Sequence, residues 1–365
     1  MINKFTRIRR FDGEWTNDYL EMEMLAIQYF KEVYIHDNKP HRREIDQLLD
    51  SLEVPCITEQ ENLDLAAALT DAEIEQALFL MKPNKAPGPD GLPAMFFQKF
   101  WLVVKNDLIA CIKSFFDRGF ILKELNQTMI TLIPKNQSPE QFKDFCPISL
   151  CNVIVKIILK VLVICMKAIM ETIIAPNQNG FVKGRAISDS ILLASELASE
   201  LMTFIHNARK VKARCDSSNN AMCDNGFLFF QPQSGIRQGD PLSPYMFLLC
   251  SNILSCMLHK EEQDKKLQGI QFGRRGPRIS HLMYADDTVL FFKADPQNCS
   301  SLKHILDKYA RLAGQVLNKD KSIVISIPNT PRLFKRIMSS TLGAKTSNKL
   351  GKYLGVKVDN RVNSA

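Results

Sequence analysis

An α+β fold is what this chain predicts, on three observations. Amphipathic helical periodicities and short β-branched or aromatic runs both occur. They cluster by type instead of alternating strictly, as βαβ units would. Neither an internal repeat nor a low-complexity tract interrupts the 365 residues, enough for two or three packed subdomains. With 45% hydrophobic and 24% charged residues, the composition is ordinary for a globular protein.

Residues 16–35 read as a helix beginning near Asn17, with Tyr19, Met22, Leu25, Ala26, Tyr29 and Phe30 on one side. Residues 36–66 are polar, carry Pro40 and Pro55, and are expected to link that helix to the next. Thr70 and Glu73 have capping-box spacing, predicting a helix to about Met81. Lys82 through Gly91, with three prolines and two glycines, is a stiff loop. A helix from Pro93 to about Phe116 follows. Ile130–Lys135 is strand-like, and Phe145–Ser149 leads into a long helix over Val153–Met166. Lys156, Lys160 and Lys167 interrupt that apolar stretch on one face, which excludes a membrane span. A solvated lysine edge and a basic stripe for a phosphate backbone both fit them.

Phe181–Arg185 precedes a helix over about Ile187–His206, and residues 207–225 have no clear pattern. Gly235–Pro244 is punctuated by glycine and proline, and Tyr245–His259 reads as a buried helix. Next come two apolar runs, Arg278–Met283 and Thr288–Phe292, separated by Tyr284-Ala285-Asp286-Asp287. That is a hairpin signal. Two adjacent carboxylates at its tip are hard oxygen ligands suited to magnesium and phosphoryl transfer, although a merely polar turn has the same look. Leu302 through Val316 marks an amphipathic helix, followed by a turn at Asn318–Ser322, a strand at Ile323–Ser326 and a strand-like run at Tyr353–Val356.

The formal net charge of +8 fits a polyanionic partner. Ten cysteines, with no Cys-x-x-Cys pair and no histidines at zinc-ligand spacing, read as reduced thiols. Together with an N-terminus lacking an apolar stretch, this predicts an intracellular protein of nucleus or cytoplasm, not secreted and without a disulfide-linked or membrane partner.

In this order, the landmarks resemble the reverse transcriptase of LINE-type (non-LTR) retrotransposons, particularly the plant kind. The matching pieces are Lys85–Gly91, Leu132–Lys135, Pro147–Val153, Gln178 through Arg185, Gly235 through Pro244, Tyr284 through Asp287, Ala313–Gln315, Lys321-Ser322 and Tyr353–Val356. The resemblance implies a right-hand polymerase with fingers and palm. Its divisions would be an N-terminal helical extension and linker (1–66), a fingers-like region (67–206), a palm-like region (207–330) and a remnant leading towards the thumb (331–365). It implies RNA template, DNA primer and deoxynucleoside triphosphates as partners, and Mg2+ as cofactor with Mn2+ as a substitute. Asp286 and Asp287 would be the metal-binding catalytic carboxylates. Arg237, Gln238 and Gly239 would form the turn under template and nucleotide, a place that a capped loop also explains. Lys135 would lie near template and triphosphate. Lys321 would reach the triphosphate, or else be a solvated turn lysine. Lys156, Lys160, Lys167 and Arg185 would follow the nucleic-acid backbone.

The family pattern is broken between Arg185 and Arg237, where the chain is several tens of residues short near Lys210–Lys212. Relatives carry there a strand bearing the other essential aspartate, and neither Asp216 nor Asp224 has strand-like neighbours. The expectation is an incomplete antiparallel palm sheet, lacking a central strand, in an internally deleted copy. Cys146, Cys165 and Ser234 also stand where the family usually carries arginine.

Overall fold

The computed structural model describes residues 6–34, 40–200, 203–207, 221–223, 226–230, 237–271, 278–319, 321–326, 330–347 and 351–358. Within these, 33–34, 195–200, 203–207, 221–223, 226–230, 351–352 and 357–358 are described by their backbone alone. Lys210–Lys212, Asp216, Asp224 and Ser234 lie outside the described residues.

The first elements are a short ribbon of β1 (Ile8–Arg9) with β2 (Trp15–Thr16), then helix α1 (Tyr19–Tyr34). The expected polar link is largely helical: α2 (Arg42–Asp50) is capped by His41, and α3 (Glu59–Leu65) follows. Next is α4 (Asp71–Phe79), whose capping box is fully formed. The Glu73 amide donates to Thr70 Oγ1 at 3.3 Å, and Thr70 N–H donates to Glu73 Oε2 at 2.8 Å. Such a cap is worth about 1 kcal/mol.

The proline-rich stretch stays irregular, and the helix expected from Pro93 is two: α5 (Ala94–Lys99) and α6 (Trp101–Arg118), broken at Phe100. Strands β3 (Thr128–Pro134) and β4 (Phe145–Cys151) pair antiparallel along their whole length and lead into α7 (Val153–Ile173). Helix α8 (Ile187–Glu200) stops short of His206 because the chain becomes strand β5 (Thr203–Asn207). Thr203, Phe204 and Ile205 are β-branched or aromatic, better suited to a pleated surface than to a helix.

Strands β6 (Ala221–Cys223) and β7 (Gly226–Phe230) precede α9 (Ser243–Gln263). The remaining elements are β8 (Ile270–Gln271), β9 (Arg278–Ile279), β10 (His281–Tyr284), β11 (Asp287–Phe291), α10 (Pro296–Ala313), β12 (Ile323–Ser326), α11 (Arg332–Leu342) and β13 (Lys345–Ser347). At the end, β14 (Gly351–Tyr353) and β15 (Val356–Val358) form a hairpin, so the run expected as one strand is its turn. Leu354 and Gly355 take the two positive φ values, 49° and 85°.

The chain divides into two compact units, each assembled from three separated stretches. One comprises Met1–Asn38, Leu63–Met166 and Arg214–Ser243; the other Lys39–Asn62, Lys167–Ala213 and Pro244–Ala365. The first unit holds a helical core from α4–α7, around Ile74, Leu78, Ile112 and Ile157. A second core in it packs α1, through Met22, Ala26 and Phe30, on Ile130 and Phe145 of the sheet β4-β3-β6-β7.

The second unit is built on a five-stranded sheet, order β10-β11-β5-β12-β13. Its central place is thus filled by β5, antiparallel to β11 and β12, which corrects the expectation of a missing central strand. The sheet is also not purely antiparallel, since β12 and β13 run parallel. Period-two alternation sends Met283, Leu290 and Val324 to one face, against α9, α10 and α11. Leu282, Val289 and Ile325 go to the other, with Ala194 of α8, Ile270 and Tyr353. Both faces are covered, which is why these strands read as unbroken apolar runs.

Candidate functional site

The register of β10 against β11 sets the acidic tip. Tyr284 pairs with Asp287, leaving Ala285-Asp286 as a two-residue turn. Such turns favour residues that tolerate positive φ, commonly Asn or Gly. Here Ala285 takes φ 51°. The neighbouring loop offsets the strain. Ala285 N–H donates to Gln178 Oε1 at 2.7 Å, and Gln178 Nε2 donates to Ala285 O at 3.1 Å. Tyr284 through Asp287 are half-buried, and burial followed by the Asp287 charge pushes the Tyr353 phenol up. Asp286 also borders a cavity of about 50 Å³ lined by Ser251, Met283, Tyr309 and Gln315. In it the buried Gln315 Nε2 has no hydrogen-bond partner, while its Oε1 accepts from the Tyr309 hydroxyl.

Two hard carboxylate donors suit a divalent cation. They fall short of a pair of ions about 4 Å apart, which takes acids from separate strands. The adjacent strand β5 is Thr-Phe-Ile-His-Asn, with Asn207 opposite Thr288, and brings no acid. Among the described residues, no three His, Cys, Asp or Glu side chains converge as a metal set.

At the end of β10 away from the tip lies a buried polar chain. His281, fully buried, has Nε2 at 2.7 Å from Ser255 Oγ and Nδ1 at 2.9 Å from Ser280 Oγ. Ser280 Oγ donates to Glu262 Oε2 at 2.8 Å. Burial, then the nearby His259, push His281 down to about 3, so the imidazole stays neutral. Burial raises Glu262 instead.

In the other unit, Arg237–Asp240 forms a turn laid against β4. Ser149 N–H donates to Gln238 O at 2.8 Å, and Gly239 has φ 115°. The side chains of this turn are not uniformly presented. Arg237 Nη2 donates to Asn126 Oδ1 at 2.7 Å, whereas Gln238 is exposed. Cys151 Sγ donates to Asp240 Oδ1 at 2.8 Å. Burial raises the Asp240 carboxyl, and burial beside that carboxylate pushes the Cys151 thiol up to about 12. Asn152, 2% exposed, donates through Nδ2 to Leu125 O at 3.0 Å and accepts from Asp90 N–H at 3.2 Å. Gly88 leaves it room, since a Cβ there would sit 2.3 Å from Asn152 N.

The expected basic residues divide. Lys156 Nζ donates to Ala86 O at 3.0 Å, anchoring the proline-rich loop. Lys135 is exposed and donates to Lys143 O, Lys160 is half-buried, and Lys167 and Lys321 are exposed. Arg185 donates to Ile174 O (2.9 Å), Ala175 O (2.6 Å) and Gln178 O (2.6 Å), so its guanidinium is engaged by the fold. Sequence reasoning misses the supporting amides Gln178, Asn152 and Asn126. The one signal is that Gln178 and Asn152 sit inside the motifs that carry the resemblance.

The eight cysteines whose side chains are described are free, and among the described residues no helix is long and apolar enough to cross a membrane. The family described as "Reverse transcriptase (RNA-dependent DNA polymerase)" matches residues 210–358, which include both Arg237–Asp240 and the acidic turn. Over 351 residues the chain is 25% identical to the transposon TX1 uncharacterized 149 kDa protein of Xenopus laevis, covering 85% of this chain and 26% of that protein. Over 294 residues it is 25% identical to the retrovirus-related Pol polyprotein from the type-1 retrotransposable element R2 of Popillia japonica, covering 70% of this chain and 39% of that one. An uncharacterized mitochondrial protein of Arabidopsis thaliana is 49% identical over 57 residues, 16% of this chain and 47% of its own. The chain therefore spans less than half the length of each of these relatives. What it carries is a reverse transcriptase domain similar to the Pol proteins of non-LTR retrotransposons.

Proposed function

We propose that this domain is of the plant LINE type, arranged as fingers and palm, and descends from an RNA-directed DNA polymerase. Its substrates would be an RNA template, a DNA primer and deoxynucleoside triphosphates. A divalent cation, Mg2+ or Mn2+, held by Asp286 and Asp287 would supply charge neutralisation at the phosphates. Arg237, Gln238 and Gly239 would support template and nucleotide, with Lys135 and Lys321 near the triphosphate. Lys160 and Lys167 would follow the nucleic-acid backbone, whereas Lys156 and Arg185, bonded to main-chain carbonyls, would act by holding their loops in place.

We further propose that polymerisation is impaired in this copy. One observation carries that reading: β5, directly beside the acidic strand, contributes no carboxylate. Primer extension on an RNA template with Mg2+ tests it, with Asp286→Ala in parallel. The expected yield is indistinguishable from that variant. Templated extension by the unaltered chain, abolished in Asp286→Ala, would contradict it.

The net charge of +8 favours a second reading, a non-catalytic nucleic-acid-binding relic. Affinity for an RNA–DNA hybrid should then fall steeply between 50 and 200 mM salt, by at least about tenfold if a few phosphates are contacted. Salt-insensitive binding would remove this reading.

A further inference from the structure

We infer that Gln178 is the positioning residue of the acidic turn, fixing Ala285 in its left-handed conformation and so aiming Asp286. The inference rests on Asp286 being the site carboxylate. Gln178 is 1% exposed, and every hydrogen-bonding position of its carboxamide is committed. Oε1 accepts from Ala285 N–H (2.7 Å) and Gly180 N–H (2.9 Å). Nε2 donates to Ala285 O (3.1 Å) and, more weakly, to Ser251 Oγ (3.5 Å). One neutral side chain thereby holds both the donor and the acceptor of the residue preceding Asp286.

The backbone around Gln178 makes that grip rigid. Asn177 O accepts from Met283 N–H at 2.7 Å, and Asn179 N–H donates to Met283 O at 2.9 Å, so the loop makes one parallel bridge to β10, between Gln178 and Met283. Arg185 ties the Gln178 carbonyl to the carbonyls of Ile174 and Ala175. Gly180 lies directly on the turn: a Cβ there would meet Ala285 N at 2.3 Å. Ala285 has φ 51°, a region that non-glycine residues occupy only when their surroundings over-determine it. The two bonds from Gln178 meet that requirement. Replacing the carboxamide with a thioether of similar length keeps the packing and removes both bonds.

Hydrogen exchange of the full chain, resolved at Ala285 and Leu290, tests this in Gln178→Met. Loss of a local closing bond should speed exchange at Ala285 by at least about tenfold, with Leu290 unchanged. Mn2+ affinity at Asp286 should weaken in the same variant. Unchanged Ala285 exchange would overturn the inference. So would acceleration of Ala285 and Leu290 together, which would make Gln178 a support of the sheet only. If Gln178→Met does not fold, Gln178→Asn, which withdraws the carboxamide by one methylene, carries the same expectations. The exchange result needs neither metal nor activity. Absence of Mn2+ binding would therefore count against the proposed cation site at Asp286 and leave the grip of Gln178 on the turn unaffected.

Discussion

The acidic turn and the Arg237–Asp240 turn are held by the same device with opposite electrostatics. Each is a tight turn anchored to a neighbouring strand or loop by main-chain hydrogen bonds. The acidic turn is gripped by a neutral carboxamide, and the strand β10 that leads into it begins at a neutral imidazole, His281. The other turn sinks a carboxylate, Asp240, against a thiol. The difference shows up as a response to acid. His281 is pushed down to about 3, so the unfolded chain takes up a proton that the folded one refuses. Its contribution is fully present above about 6.5, the ordinary histidine value, and is lost as the pH falls towards 3. Asp240 is raised, so its buried charge costs stability above its folded value, and acid relieves that cost. Acid should loosen the first region and tighten the second.

The largest expected effect is at His281. Through that window, unfolding free energy should drop by up to about 1.4 kcal/mol per pH unit, and His281→Gln should flatten the dependence. Urea titrations at pH 7 and 4.5 measure this; equal slopes for both proteins would refute it. Next come the two close backbone approaches. Gly180→Ala and Gly88→Ala each drive a Cβ to 2.3 Å from a backbone nitrogen. Each should destabilise by about 3 kcal/mol, and a loss under about 0.5 would show that the loops yield freely. Asn152→Ala strips the partners of Asp90 N–H and Leu125 O, for about 2 kcal/mol by the same denaturation. Smallest is Asp240→Asn, which should gain up to about 1 kcal/mol at pH 7. That gain should shrink as the pH falls to the ordinary carboxylate range, and a loss at pH 7 would reverse the assignment.

The features legible in the sequence are those with a local cause. The hairpin follows from two apolar runs around a short polar break, and the Thr70–Glu73 cap from spacing alone. Helices α2 and α11 do carry a helical spacing of apolar residues, Ile45, Leu48 and Leu49 in one and Leu333, Phe334, Ile337 and Met338 in the other, but each is short and the charged residues between give it the look of a polar link. Strand β5 reads in the sequence as the end of a helix, since a five-residue element is decided by its neighbours β11 and β12, far off along the chain. At the site, the two carboxylates can be named from the motif. Gln178 lies 107 residues from the alanine it holds, and no local pattern encodes that pairing.

Counting cations at the tip asks directly whether a single β-element supplies all the acid there. Titration with Mn2+ followed by electron paramagnetic resonance should find one weakly held ion, lost in Asp286→Asn. Two tightly bound, magnetically coupled ions would contradict this, because acids from a second β-element would then have to reach the turn.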